Sequence, residues 1–246
     1  PGDLCIRLPQ VERCDVVELV VLLPLEPRER ELHERRGVGE GLRLRPITER
    51  WPKPILPIDG RAVIATLIDQ LGAEEIGPAT VVTGYLAEQV EELLHGLEVR
   101  FVRQPDPFGS ADAVRRALAG GAGRPVLVTA ADTVFRPGDL AKVAATRSAA
   151  IAYRKDPSKA RIAIDGGLVT KVVSGDPSLP FSSGPLWVLT DEIDIDGLPG
   201  PPFELSVAFQ RAIDTGTPVA AVEISPTRDL TDPTDLVREN FPYLGR

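Results

Sequence analysis

Methionine is absent from this 246-residue chain, and cysteine and histidine number two each. Cys5 and Cys14 cannot make a disulfide framework, and His33 and His95 cannot make a His-rich metal site. A reduced, cytoplasmic setting is the default expectation. No apolar run approaches the roughly 20 residues of a membrane-spanning helix, so no membrane partner is expected. Positive charge is in deficit: 28 Lys and Arg stand against 36 Asp and Glu, a formal charge of −8. That argues against nucleic acid as a partner, which a basic surface would attract. The missing Met suggests a fragment, a processed chain or a reading frame whose start was not found.

What is present reads as a globular domain. The hydrophobic fraction is 43%, and 24 Pro with 22 Gly suit many loops between short elements. From Gly37 onward, strands and helices alternate. Strands are expected at 79–83, 98–102, 125–129, 149–153, 186–189 and 218–224, and a Gly166-Gly167 hairpin joins 161–165 to 168–173. Helices are expected at 61–71, 110–119, 138–146, 203–215 and 233–239, with Leu86, Val90, Leu93 and Leu94 on one further helical face. Such alternation predicts an α/β fold with a mostly parallel central sheet. Residues 1–36 differ: an apolar stretch at 16–23 could be a strand, and a mixed-charge stretch follows it.

Ligands of open α/β sheets bind beyond the carboxyl ends of the strands. Five segments qualify. Gly39 and Gly41 precede Arg43, a glycine loop with a forked cation that could approach phosphate, or simply a turn. Trp51-Pro52-Lys53-Pro54 stiffens the backbone around one lysine. Gln104 precedes Gly109-Ser110 at a helix start, where backbone donors are free and Ser110 could instead be only a cap. Asp132 follows an apolar strand, and so does Asp229; the two could share Mg²⁺, or each could be a turn residue.

In this order the segments resemble the sugar-phosphate nucleotidyltransferases, a family that includes glucose-1-phosphate thymidylyl- and uridylyltransferases and mannose-1-phosphate guanylyltransferases. The carriers are Gly39-Glu40-Gly41-Leu42-Arg43-Leu44-Arg45-Pro46-Ile47-Thr48, Pro52-Lys53-Pro54, Val81-Val82-Thr83-Gly84-Tyr85, Gln104, Gly109-Ser110-Ala111-Asp112-Ala113, Asp132, Ser183-Gly184 and Asp229. The resemblance covers about 37–241. It implies a Rossmann-like, GT-A-like nucleotidyltransferase domain over 37–246. It also implies transfer of a nucleoside monophosphate from an NTP to a sugar 1-phosphate, giving an NDP-sugar and pyrophosphate. By position, Gly39, Gly41, Gln104, Gly109 and Ser110 would bind the nucleotide, Arg43 and Lys53 would act on the phosphates, Gly184 and Glu204 would meet the sugar, and Asp132 and Asp229 would hold Mg²⁺. Two other readings stand beside it. One is a non-catalytic homologue that binds sugar nucleotides or a partner protein. The other is a glycosyltransferase using Asp194-Ile195-Asp196, although no apolar strand leads into that triplet.

The chain departs from the family pattern in places. Leu42 stands for a Ser or Thr, Ala131 for a Gly, and Val173-Ser174-Gly175-Asp176-Pro177 lacks a Glu-Lys-Pro. The family's first strand runs straight into its glycine loop, whereas Leu32-His33-Glu34-Arg35-Arg36-Gly37-Val38 is no central strand. Either 16–23 supplies that strand and 24–36 is an insertion, or the start is a frame artefact. The genetic code permits the second: His33 to Gly39, read one base later with suitable third bases, gives Met-Ser-Ala-Val-Val-Leu and then Ala. The coding DNA decides between them.

Overall fold

The computed structural model describes residues 18–22, 43–156, 161–174 and 176–241. Gly39, Gly41, Leu42 and the segment 24–36 lie outside the described residues. The strands are β1 (Glu18–Leu22), β2 (Pro57–Ile58), β3 (Arg61–Ala62), β4 (Ala79–Thr83), β5 (Val99–Arg103), β6 (Val126–Ala130), β7 (Thr133–Val134), β8 (Ala150–Arg154), β9 (Arg161–Asp165), β10 (Leu168–Ser174), β11 (Phe181–Leu189), β12 (Ala220–Glu223) and β13 (Arg228–Asp229). The helices are α1 (Val63–Ala73), α2 (Ala87–Leu93), α3 (Ser110–Ala119), α4 (Asp139–Ala144), α5 (Leu205–Asp214) and α6 (Pro233–Asn240). Among the described residues no helix is long and apolar enough to cross a membrane.

One nine-stranded sheet runs β5-β4-β1-β6-β11-β8-β12-β10-β9. The expected parallel character holds over β5, β4, β1 and β6, and again between β8 and β12. The pairs that β11 makes with β6 and β8, and those around the β9–β10 hairpin, are antiparallel, so the whole sheet is mixed. The strand expected within 16–23 is present and central: Leu19 pairs with Ala79 on one side and Leu127 on the other.

Alternation along the strands divides the core in two. Val82, Val126, Val128, Ile151 and Leu189 face one side, under α3 and α5 through Val114, Ala117, Leu205 and Phe209. Val81, Leu127, Ala150, Ala152, Leu186 and Val188 face the other, under α1, α2 and α4 through Leu67, Leu71, Val90, Leu94, Leu140 and Val143. Leu93 departs from the expected apolar face: it is exposed, while Leu94 is buried. A third cluster of Leu44, Leu56, Ile58, Val63 and Leu230 fastens the Pro-rich loop to the segment after β12.

Candidate active site

Strands β5, β4, β1 and β6 are parallel, so their carboxyl ends form one ridge. Three strand spacings, roughly 14 Å, separate the end of β5 from that of β6. Gln104 sits at the first end, where its N–H donates to the Thr83 carbonyl at 2.7 Å. Asp132 sits at the second, one residue beyond buried Ala131.

Lys53 reaches Asp132 from the Pro-rich loop. Pro52 is extended, and Lys53–Ile55 then closes a 3₁₀ turn in which the Leu56 N–H donates to the Lys53 carbonyl. The Lys53 Nζ lies 2.5 Å from Asp132 Oδ2, with side chains 1% and 9% exposed. Two charges this deep need each other, because desolvation of a lone one would be prohibitive. Beside them, Asp229 pairs with Thr133 and Arg228 with Val134 across β13–β7. Of the two sequence-predicted metal carboxylates, Asp132 therefore lies in the turn just before β7 and Asp229 on β13, paired with the next residue, Thr133. Arg228 anchors this arrangement, donating to both Asp59 oxygens at 2.5 and 3.0 Å and to Glu239 Oε2 at 2.6 Å. Its hydrogen bond to Asp59, ahead of the opposing burial, holds that carboxyl below its ordinary pKa.

At the other end of the ridge, Gln104 is 1% exposed and its Nε2 donates to Asp112 Oδ2 at 2.8 Å and to the Gly109 carbonyl at 3.1 Å. Gly109 has φ 101°, and a Cβ there would lie 2.3 Å from the Phe203 carbonyl oxygen. Only glycine allows that approach. The Ala111 N–H donates to the Phe203 carbonyl, and the Phe203 N–H to that of Phe108. Ser110 adds a side-chain link: its hydroxyl donates to Glu204 Oε2 at 2.6 Å and accepts from the Leu205 N–H at 2.9 Å. Ser110, expected on the nucleotide side, and Glu204, expected on the sugar side, thus join the starts of α3 and α5.

Gly184 lies at the same ridge as Asp132, since β11 runs antiparallel to β6 and the Thr129 hydroxyl donates to the Pro185 carbonyl at 3.0 Å. A Cβ on Gly184 would meet Ala152 and Ile224 at 3.1 Å, so the residue permits close packing within the sheet. Arg43 is exposed on the loop preceding buried Leu44. Asp194 and Asp196 are engaged by Arg211 and Arg115 respectively, at 2.9 Å each. Among the described residues no three His, Cys, Asp or Glu side chains form a metal cage.

Sequence reasoning missed Asp112 and Arg228. The Asp112–Arg116 spacing of four residues on α3 was a readable ion-pair signal, but nothing local pointed from Asp112 to Gln104. The Arg228–Asp59 link had no sequence signal.

The profile of the MobA-like NTP transferase domain matches residues 39–198, well over half the chain. Over 101 residues the chain is 28% identical to the D-glycero-alpha-D-manno-heptose 1-phosphate guanylyltransferase of Aneurinibacillus thermoaerophilus, covering 39% of this chain and 44% of that protein. Over 157 residues it is 32% identical to the bifunctional protein GlmU of Pelotomaculum thermopropionicum, covering 58% and 33%. The chain therefore spans less than half the length of these curated relatives. Among solved structures, a putative glucose-1-phosphate thymidylyltransferase from Bacillus anthracis superposes with a TM-score of 0.74 at 16% identity, covering 92% of this chain and 94% of that one. The inositol-1-phosphate CTP transferase from T. maritima superposes with a TM-score of 0.71 at 19% identity, covering 89% and 91%. These neighbours share the Rossmann-like α/β fold expected from the sequence. The chain belongs to the MobA-like NTP transferase family.

Proposed function

We propose that this chain transfers a nucleoside monophosphate from an NTP to a sugar 1-phosphate and releases pyrophosphate. The observation that carries the reading is the buried Lys53–Asp132 pair at the carboxyl ridge, 2.5 Å apart, beside the strand that bears Asp229. In this reaction a phosphate oxygen of the sugar 1-phosphate attacks the α-phosphorus, and the bond to pyrophosphate breaks. No protein nucleophile is needed, so alignment and charge stabilisation supply the catalysis. Lys53 offsets charge on the reacting phosphates, and Arg43 serves the same end from the loop edge. Gln104 and Gly109 receive the base at the far end of the ridge, and Gly184 and Glu204 border the sugar.

Two hard carboxylates, one in the turn before β7 and one on its partner strand β13, suit Mg²⁺, which commonly takes one or two carboxylates and completes its shell with phosphates and water. Asp132 and Asp229 would hold it, and when bound it would neutralise phosphate charge.

The test is pyrophosphate release from each NTP with a panel of sugar 1-phosphates, with Mg²⁺ and with EDTA. Metal-dependent release with one pair is the expected result. NTP binding without release from any pair would overturn the catalytic reading in favour of a non-catalytic homologue, the reading favoured by Leu42 in place of a hydroxyl residue.

A further inference from the structure

Pro54 and Pro57 have no N–H to donate, so the chain from Lys53 to α1 relies on other groups for anchorage. Within it, the Leu56 N–H donates to the Lys53 carbonyl and the Val63 N–H to that of Leu56. The β2–β3 hairpin follows at once, pairing Pro57 with Ala62 and Ile58 with Arg61. Its turn is Asp59-Gly60, at φ 53° and 76°, both positive as a two-residue type I′ turn requires. The last turn of α6 closes on this hairpin. Asn240 Nδ2 donates to the Pro57 carbonyl at 2.8 Å and to the Leu236 carbonyl at 2.9 Å, and Asn240 Oδ1 accepts from the Gly60 N–H at 2.8 Å. Carbonyls only accept and a peptide N–H only donates, so the amide has one orientation and both its hydrogens are used. Beside it, the Asp59 N–H donates to the Glu239 carbonyl at 3.3 Å. The Leu236 bond ties the amide to its own helix, and the Pro57 and Gly60 bonds tie both sides of the hairpin turn to the amide.

We infer that Asn240 is a positioning residue for Lys53. It touches neither Lys53 nor the carboxyl ridge and acts through the backbone of the hairpin. The 3₁₀ turn of Lys53 runs directly into Leu56 and Pro57, and Leu56 and Ile58 are buried in the cluster that also holds Leu44 and Leu230. Pinning the Pro57 carbonyl therefore fixes one end of the short turn whose other end carries the ammonium. Without the pin the turn shifts, and the ammonium loses its alignment with the reacting phosphates, where small displacements are costly. This inference rests on the reading of Lys53 as the group that offsets phosphate charge.

The experiment is a double-mutant cycle on the whole chain, read by pyrophosphate release with the substrate pair that supports it. Urea unfolding of each variant sets assay conditions in which it is folded. Asn240→Leu keeps the approximate shape and removes the donors and the acceptor. In the wild-type background it should lower kcat about tenfold or more, with KM within about twofold. Lys53→Gln keeps a donor for Asp132 and removes the ammonium. In that background nothing is left to position, and Asn240→Leu should change kcat by less than about twofold. A merely structural residue would lower kcat by the same factor in both backgrounds. If Asn240→Leu fails to fold, Asn240→Asp keeps the acceptor for Gly60, loses the donor to Pro57 and carries the same expectations. Equal losses in both backgrounds overturn the inference while leaving the role of Lys53 standing, and so does an unchanged kcat in the wild-type background. Full turnover in Lys53→Gln overturns the reading of Lys53, and this inference with it. No pyrophosphate release from the wild type overturns the proposed function and everything built on it.

Discussion

The two ends of the ridge solve one problem in different ways. At the β6 end, a buried carboxylate meets a buried ammonium, Asp132 against Lys53. At the β5 end, a buried carboxylate meets a neutral amide, Gln104, and draws its countercharge from the half-exposed Arg115 and Arg116. The difference lies in what each end can release. Under the proposed function, a lysine–carboxylate pair would exchange partners with an arriving phosphate or cation. An amide with both hydrogens spent cannot rearrange without breaking one bond to a carboxylate and one to a peptide carbonyl. The β6 end is held by an ion pair, and the β5 end by a fixed set of amide hydrogen bonds.

The hardest test of that contrast is Lys53→Ala. It strands a buried carboxylate, and stability should fall by about 3–5 kcal/mol. Turnover should fall on the order of 10²–10³. Urea unfolding and pyrophosphate release read the two losses separately. Lys53→Met with Asp132→Leu sharpens the point: an apolar pair of similar volume should restore most of the stability and none of the activity. Asp132→Asn alone should lower turnover by a comparable 10²–10³ or so, and a change of only a fewfold would remove Asp132 from the metal and phosphate assignment.

Gly109→Ala attacks the fixed end. The alanine meets both a positive φ and the Phe203 backbone, and a loss of about 1–3 kcal/mol is expected in thermal unfolding, with weaker nucleotide binding. Arg228→Met tests the support of the exchanging end. Arg228 is about a third exposed, so its ion pairs should contribute only about 1 kcal/mol. Freeing β13 from Asp59 and Glu239 should nonetheless raise the Mg²⁺ concentration needed for half-maximal turnover. Unaltered metal dependence would show that β13 needs no such anchor.

The smallest effect expected is in acid. Asp112 has a depressed pKa in the folded state. Its contribution is complete above the unfolded carboxylate pKa of about 3.9 and is lost as pH falls through the lower folded value. Stability curves of wild type and Asp112→Asn should therefore converge as pH falls below that value. Parallel curves would mean that Asp112 is not selectively held as a carboxylate.

Much of this fold could be read directly. The strand at 79–83 and the helix start at Ser110 were legible because an apolar run and a Gly-Ser boundary are local signals. Leu93 misled because one apolar residue more than the face needs still fits the helical period. The short strands β7 and β13 were invisible, since two residues carry no periodicity. Gln104, Asp132 and Lys53 could be singled out as site candidates. Asp112 could not, because its contact with Gln104 reaches off its own helix, whereas its pairs with Arg115 and Arg116 look like an ordinary helical surface pattern.

The sequence by itself determined the alternation of strands and helices, the apolar faces and the order in which polar residues follow the strands. Those are properties of neighbours along the chain, fixed by period and turn chemistry. Only the tertiary structure decided that Lys53 meets Asp132, that Asp229 lies across from Thr133, that Ser110 holds Glu204, and that Asp112 turns the amide of Gln104. Each of those contacts joins segments that the chain separates. Their geometry follows from sheet order and from the way the loops and helix starts beyond the strands pack at one edge.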